Sequence, residues 1–392
     1  MLGVLVFVVG LFVSIAVHEA GHMLLARKSG GRVSEFMVGF GPTVLSFKRG
    51  HTRYGLKAIP FGGYVRILGM RPAGQGEPAE TEEERAVPGR NFYELSAPRR
   101  TATLLAGPFS NIVLAGLLLT VVVSVLGVPA ASSRVGVVRE CVTSAVCAAD
   151  DPASPALLAG VQVGERIVAL DGVEVSSWDA VVAGISSRAP GDVLEITLES
   201  GEGSRTVKAL LAPNPASPGS ALLGVSPEIV SVRKAPTMVP GLLLEQSRNV
   251  LGAVLGFPIR VLETFAGTLR GEERDPAGPV GLVGVGRIGA DIGDAPAPMN
   301  TRMGQLLVLL AGLNVSLGVF NLIPLLPLDG GHIALTWFEA ARSRLARLRR
   351  RVDPGPVDMR RLLPLTNLVV AFFIVSTLLL VFADLVNPIR LP

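Results

Sequence analysis

Apolar residues gather into four long runs, at about 2–26, 101–126, 304–326 and 363–386. Each is long enough to cross a bilayer as a helix. In the first, only Ser14 is polar between Leu2 and Val17, and His18-Glu19-Ala20-Gly21-His22 follows without a break. The second carries Gly107-Pro108 near its start, where a kink is expected. A fifth stretch, 242–266, is only partly apolar. Glu245, Arg248, Arg260 and Glu263 interrupt it and Pro258 lies inside it, so it is expected to rest on the outer surface as an amphipathic helix. Elsewhere the period shortens to two. Strands are expected near 43–48 and 53–59, followed by Gly62-Gly63 and a further short strand. Residues 161–175 alternate and turn at Asp171-Gly172, a hairpin signal. A helical stretch around 178–187 and strands near 193–199 and 204–210 follow.

The pattern divides the chain into an N-terminal membrane half (1–126), a small β-rich domain (133–213), a linker with the amphipathic stretch (214–303), and a C-terminal membrane half (304–392). Composition agrees. Of 392 residues, 49% are hydrophobic and only 17% charged, against about a quarter charged in soluble domains. Aromatic residues, at 5%, are too scarce for an aromatic-girdled barrel. The net charge of +4 matters less than where it falls. Residues 27–100 carry 13 Lys and Arg and 341–361 carry 8, while the much longer 127–303 carries 14. That asymmetry places the two short loops in the cytoplasm and both termini, with the long middle segment, outside. The basic residues follow topology, and nothing resembles a nucleic-acid patch. No basic n-region or cleavage site marks the N-terminus as a removed signal. The run 71–90, rich in Pro, Gly and Glu (Glu80, Glu82, Glu83, Glu84), reads as a solvated, mobile linker.

Ionisable groups inside an apolar span are costly and mark function. His-Glu-x-x-His on a helix sets two imidazoles one turn apart on one face, the spacing for two nitrogens on one zinc ion. Glu19 stands beside them to take a proton from water. A catalytic zinc needs a third protein ligand, and the third run ends in Asn321-Leu322-Ile323-Pro324-Leu325-Leu326-Pro327-Leu328-Asp329-Gly330-Gly331-His332. Asp329 is one candidate, although it could equally cap the helix that follows. His332 is its rival, and spacing does not choose between them. Cys141 and Cys147 both fall in the outer domain, on the oxidising side, where a disulfide closing a short loop is expected.

The segment SPALLAGVQVGERIVALDGVEV resembles a bacterial PDZ domain, whose sheet edge and helix can receive an extended peptide or a free C-terminus. HEAGH, FGPTVLSF, GGYVRI, AGPFSN, this PDZ-like module, GPVGLVGV and NLIPLLPLDGG stand in the order found in site-2 proteases. The likeness covers essentially the whole chain. It is to the subgroup that includes the regulator-of-sigma-E protease, and more closely to its actinobacterial members. The resemblance implies an α-helical polytopic membrane protein of the bacterial cell (inner) membrane. It would have four transmembrane helices, a cytoplasmic-side membrane-associated β-hairpin and an inserted extracytoplasmic PDZ-like β-rich domain. It further implies that His18, His22 and Asp329 hold Zn2+, Glu19 is the general base, and Asn321 and the Gly62-Gly63 edge hold substrate backbone. The implied activity is intramembrane cleavage of single-pass membrane proteins already shortened on their outer side, anti-sigma factors above all. One departure is local: an extra residue separates Pro324 from Pro327, where relatives often have Pro-x-Pro.

Overall fold

The computed structural model describes residues 2–70, 80–142, 147, 151–201, 203–215, 217, 219–275 and 278–389. The chain forms two compact units, one from residues 1–126 with 235–392 and the other from 127–234.

The first unit is helical with one sheet. Its long helices are α1 (Leu2–Lys28) and α2 (Ala97–Val121), the latter extended by a π turn to Leu126. The second unit contributes α3 (Trp178–Ser186), and the first unit continues with α4 (Val239–Arg270), α5 (Leu282–Asp294) and α6 (Met299–Asn321). α7 (Asp329–Leu348) and α8 (Leu363–Val386) complete it. Among the described residues, five helices are long and apolar enough to cross a membrane, judged by length and composition: Leu2–Lys28, Ala97–Leu126, Pro236–Arg270, Met299–Asn321 and Met359–Val386. The protein is therefore a multi-pass helical membrane protein with a β-rich part. The extra candidate beyond the four expected is the helix containing 242–266. Its helix runs well past both ends of the partly apolar stretch and carries Pro258 inside it.

Large apolar side chains such as Leu5, Val9, Leu24, Phe109, Leu117 and Val125 point outward, while the surfaces between helices carry Gly3, Ser14, Gly21, Ala106, Ala115, Ala311 and Asn314. That inversion suits a lipid solvent, where helices gain by close approach of small residues and by shared polar groups. Asn314 Nδ2, for example, donates to Ser14 Oγ at 2.8 Å.

Helix directions follow from such pairs. His18 faces Asn111 and His22 faces Thr103, so α1 and α2 are antiparallel. Gly10 lies against Leu310 and Ser14 against Asn314, so α1 and α6 are parallel. The end of α2 and the start of α6 therefore share one face. Along α4 and α8, Phe257 meets Phe372 and Phe265 meets Phe382, with ring centroids 6.3 and 5.8 Å apart. The two helices run parallel over that stretch.

The sheet of this unit is a folded hairpin, β1 (Val33–Arg49) and β2 (Thr52–Ile67). Val38 pairs with both Gly63 and Leu56, while Phe47 pairs with Tyr54. Two bent strands thus make four ribbons, in the order 63–67, 33–38, 53–57, 43–49. The ribbon before residue 40 was not expected. Residues 80–90 also correct the reading of a solvated linker. Thr81 caps a short helix, Glu82–Arg85, in a capping box with Glu84. Glu84 is buried and paired with Arg66 at 2.8 Å, and Glu80 pairs with Arg32 at 3.0 Å. Buried carboxylates persist here because each has an arginine partner from a distant segment. Residues 71–79 of that expected linker lie outside the described residues.

The second unit is an antiparallel sheet of β3 (Val128–Val138), β4 (Arg166–Leu170), β5 (Val173–Glu174), β6 (Val193–Ser200), β7 (Gly203–Leu210) and a last strand. Two-residue strands β8 (Ala212–Pro213) and β9 (Ala221–Leu222) form a separate pair, and β10 (Val225–Val232) completes the main sheet. The order is β10-β3-β4-β6-β7, with β5 on β4. Leu194, Ile196 and Leu198 of β6 face a core shared with Val135, Ile167 and Val181, the last on α3. Cys141 and Cys147 are joined in a disulfide.

Candidate metal centre

α1 holds His18 and His22 one turn apart, and the first residue of α7 brings Asp329 to meet them. Their nitrogens Nε2 lie 3.2 Å from each other, and Asp329 Oδ2 lies 3.4 Å from that of His18 and 3.3 Å from that of His22. This trio is the His/Cys/Asp/Glu cluster of metal-binding geometry among the described residues, and it takes Asp329 rather than His332. The turn before α7 explains how the carboxylate arrives there. A Cβ on Gly330 would stand 2.3 Å from the Leu322 carbonyl oxygen, and one on Gly331 2.5 Å from the Leu325 carbonyl carbon. Only glycines let 322–328 fold back so tightly against the start of the helix.

The other face of the centre is α2. Its Gly107 passes directly over the imidazoles, where a Cβ would lie 2.2 Å from His22 Nε2 and 2.8 Å from His18 Nε2. Ser110 Oγ is within hydrogen-bond distance of the carbonyls of Val17 (2.9 Å) and Gly107 (2.7 Å), tying α2 to α1 beside the motif. His22 Nδ1 donates to the Thr103 carbonyl at 2.8 Å, and His18 Nδ1 lies 3.1 Å from Asn111 Oδ1. Gly107, Ser110 and Asn111 were visible in the sequence as part of the AGPFSN motif, with only a kink expected at Gly107-Pro108, and Thr103 was not singled out.

The two Nε2 atoms and Asp329 Oδ2 thus converge, and Asp329 Oδ2 is buried without a hydrogen-bond partner. Such a convergence is repulsive unless a cation sits among the three. A tetrahedral zinc with bonds of about 2.0–2.1 Å has ligand atoms about 3.3 Å apart, which is the spacing here. His22 and the carboxylate are nearly closed off, at 8% exposure for His22 and 17% for the Asp329 side chain.

Glu19, next to His18 on α1, faces the hairpin. The Val65 backbone N–H hydrogen-bonds its carboxylate, and Gly63 is close enough that a Cβ there would stand 3.2 Å from Glu19 Cγ. The edge ribbon 63–67 therefore runs past the would-be base. Gly62, with φ at +91°, precedes it. Asn321 closes α6, where its Nδ2 donates to the Leu317 carbonyl at 3.0 Å.

A spanning helix that carries two imidazoles and a glutamate, completed by an aspartate from a later turn, defines the class: a zinc metalloendopeptidase of the membrane-embedded kind. The chain belongs to peptidase family M50, whose match extends over residues 6–352. Among curated relatives it is similar to zinc metalloprotease Rip1 of Mycobacterium tuberculosis. Identity is 33% over 414 aligned positions, covering 99% of this chain and 98% of the relative. The Rip1 zinc metalloprotease of Mycolicibacterium smegmatis is 32% identical, with 100% and 98% covered. Zinc is accordingly its cofactor, and its activity is that of a site-2 protease.

Proposed function

We propose that the protein cuts a peptide bond within or near the transmembrane segment of single-pass membrane proteins already trimmed on their outer side, with anti-sigma factors as the leading substrates. His18, His22 and Asp329 would hold the zinc, and Glu19 would be the general base. The observation that carries this reading is the convergence of His18 Nε2, His22 Nε2 and Asp329 Oδ2 beside a glutamate on a membrane helix. Bound there, zinc supplies a Lewis acid that polarises a peptide carbonyl and acidifies a water molecule. Glu19 takes the proton of the attacking water and hands it to the leaving amine, its carboxylate oriented by the Val65 N–H.

A substrate helix conceals its own backbone, and unpaired peptide groups are costly in lipid. The edge ribbon beginning at Gly63 offers unpaired backbone beside Glu19, so an unwound substrate strand can add to it. Asn321 and Gly62 stand with it as substrate-holding groups. The outer β unit, which we read as PDZ-like, screens for trimming by size or by binding the new C-terminus. Four spans, with both termini and the β unit outside, are supported by helix direction. The end of α2 and the start of α6 share one face, as a segment 127–298 that leaves and returns on one side requires, and 242–266 is read as an amphipathic helix on that outer surface.

The test is cleavage in liposomes of a single-pass anti-sigma-factor segment, trimmed or untrimmed, by wild type and by Glu19→Gln. Cleavage within the span of the trimmed form alone, by wild type alone, is the expected result. Cleavage by both proteins would remove Glu19 from its role, and equal cleavage of both substrates would remove the screening role from the outer unit.

A further inference from the structure

Each imidazole has two ring nitrogens, and a neutral ring offers a metal only the one without the proton. His22 and His18 both turn Nε2 toward Asp329, so to give that nitrogen to a metal each must carry its proton on Nδ1. The partner of each Nδ1 is a carbonyl oxygen, which can only accept. His22 has the Thr103 main chain at 2.8 Å, and His18 has Asn111 Oδ1 at 3.1 Å. These two restraints differ in kind. Any residue at 103 supplies a carbonyl, whereas the one on His18 depends on a particular side chain.

Asn111 is fully buried, and its Nδ2 has no hydrogen-bond partner among the described residues. Turning the amide over would give that nitrogen a partner, because it could donate to His18 Nδ1. The ring proton would then move to Nε2 and point into the ligand trio. The observed orientation leaves an amide unsatisfied, and what it secures is an acceptor at His18 Nδ1. Either orientation leaves one buried amide atom unpaired, Nδ2 as found or Oδ1 if turned over, and only the one found puts an acceptor at His18 Nδ1.

We infer that Asn111 is a positioning residue for the metal centre, fixing the tautomer and ring plane of His18 so that its Nε2 is free for zinc. The inference rests on the proposed ligand set and concerns metal binding rather than turnover. Outer partners of this kind are worth roughly 10–100-fold in metal affinity.

The experiment measures zinc affinity of the full-length protein in detergent by competition with a chelator, with thermal unfolding of the metal-free form as a fold control. Asn111→Leu, of similar volume but with no acceptor, is expected to weaken zinc binding about 10–100-fold. Asn111→Asp, which returns an acceptor oxygen to the same place, is expected to hold zinc within a few-fold of wild type. Asn111→Ala replaces the leucine variant if leucine unsettles the metal-free fold. Zinc affinity unchanged without the acceptor, or lost equally in the leucine (or alanine) and aspartate variants, would overturn the inference. A His18→Ala control separates the two readings: if it too binds zinc as wild type does, the ligand set itself is wrong.

Discussion

Gly107 lies across α2 from His22 at a separation that leaves no room for a single methyl group, its would-be Cβ falling 2.2 Å from Nε2. The helix carrying the imidazoles and the helix covering them therefore meet backbone to ring. Gly107→Ala is expected to displace His22 or push α2 away, and zinc content of the purified protein should fall by tenfold or more, on the scale of lost ligand support. Metal analysis of the variant checks this, and full zinc occupancy would contradict it.

Asp329→Asn retains shape while removing the charge from a site whose other ligands are neutral. Zinc retention is expected to drop at least as far as for loss of an outer partner, about 100-fold. His332→Ala, at the rival position, is expected to leave zinc content unchanged. Measuring both by chelator competition decides between the two residues that spacing leaves level.

Val65 lends its backbone N–H to Glu19 from an edge ribbon, where proline is tolerated because that N–H is not part of the ladder. Val65→Pro is expected to keep zinc and lower kcat, since only the orientation of the base is lost. Metal content and single-turnover cleavage together test it. A variant with unchanged kcat would show that Val65 does not orient the base.

In the β-rich unit, Glu165 is 5% exposed and Arg205 Nε donates to its Oε1 at 2.8 Å. Burial raises the Glu165 carboxyl, but the Arg205 hydrogen bonds and the Gln162 N–H outweigh it and hold the group below its ordinary 4.5. A depressed folded value means the contribution to stability is fully present above pH about 4.5 and fades as pH falls through the lowered value. Hydrogen-exchange protection factors at Leu194, Ile196 and Leu198, corrected for the intrinsic exchange rate at each pH, should fall on acidification, and Glu165→Gln should flatten the part of that slope due to this group. An identical slope in the variant would assign the effect elsewhere.

Arg274 and Asp384 form a buried pair at 2.7 Å, with side chains 4% and 0% exposed, and Asp384 also accepts the Gly284 N–H at 2.7 Å. Asp384→Ala leaves an arginine buried without its counter-charge, expected to cost about 3–5 kcal/mol. Thermal unfolding in detergent checks this, and the double change with Arg274→Met should recover much of the loss.

The metal helix is legible from the sequence because its chemistry is contiguous: His18, Glu19 and His22 need only 3.6 residues per turn to share a neighbourhood. Asp329 is not legible from spacing, since an aspartate at a helix start caps as readily as it ligates, and only the resemblance favours it over His332. The α2 contributions, Gly107, Ser110 and Asn111, arise from how closely two helices approach, which no local pattern encodes. Glu80 and Glu84 misled for a similar reason, their partners Arg32 and Arg66 lying far away in the chain. The helix around 242–266 was legible in type but not in extent, because its charged positions mask an otherwise continuous helical run.

Asp329 belongs to the last fifth of the chain, while His18 and His22 are among the first residues to be made. Two imidazoles with no carboxylate leave the trio incomplete, so a polypeptide still being synthesised has no assembled centre until α6 and the turn beyond it have entered the membrane. On the proposed ligand set, the centre can therefore close only after most of the chain has been made, with the rest of α7 and all of α8 still to follow its last ligand.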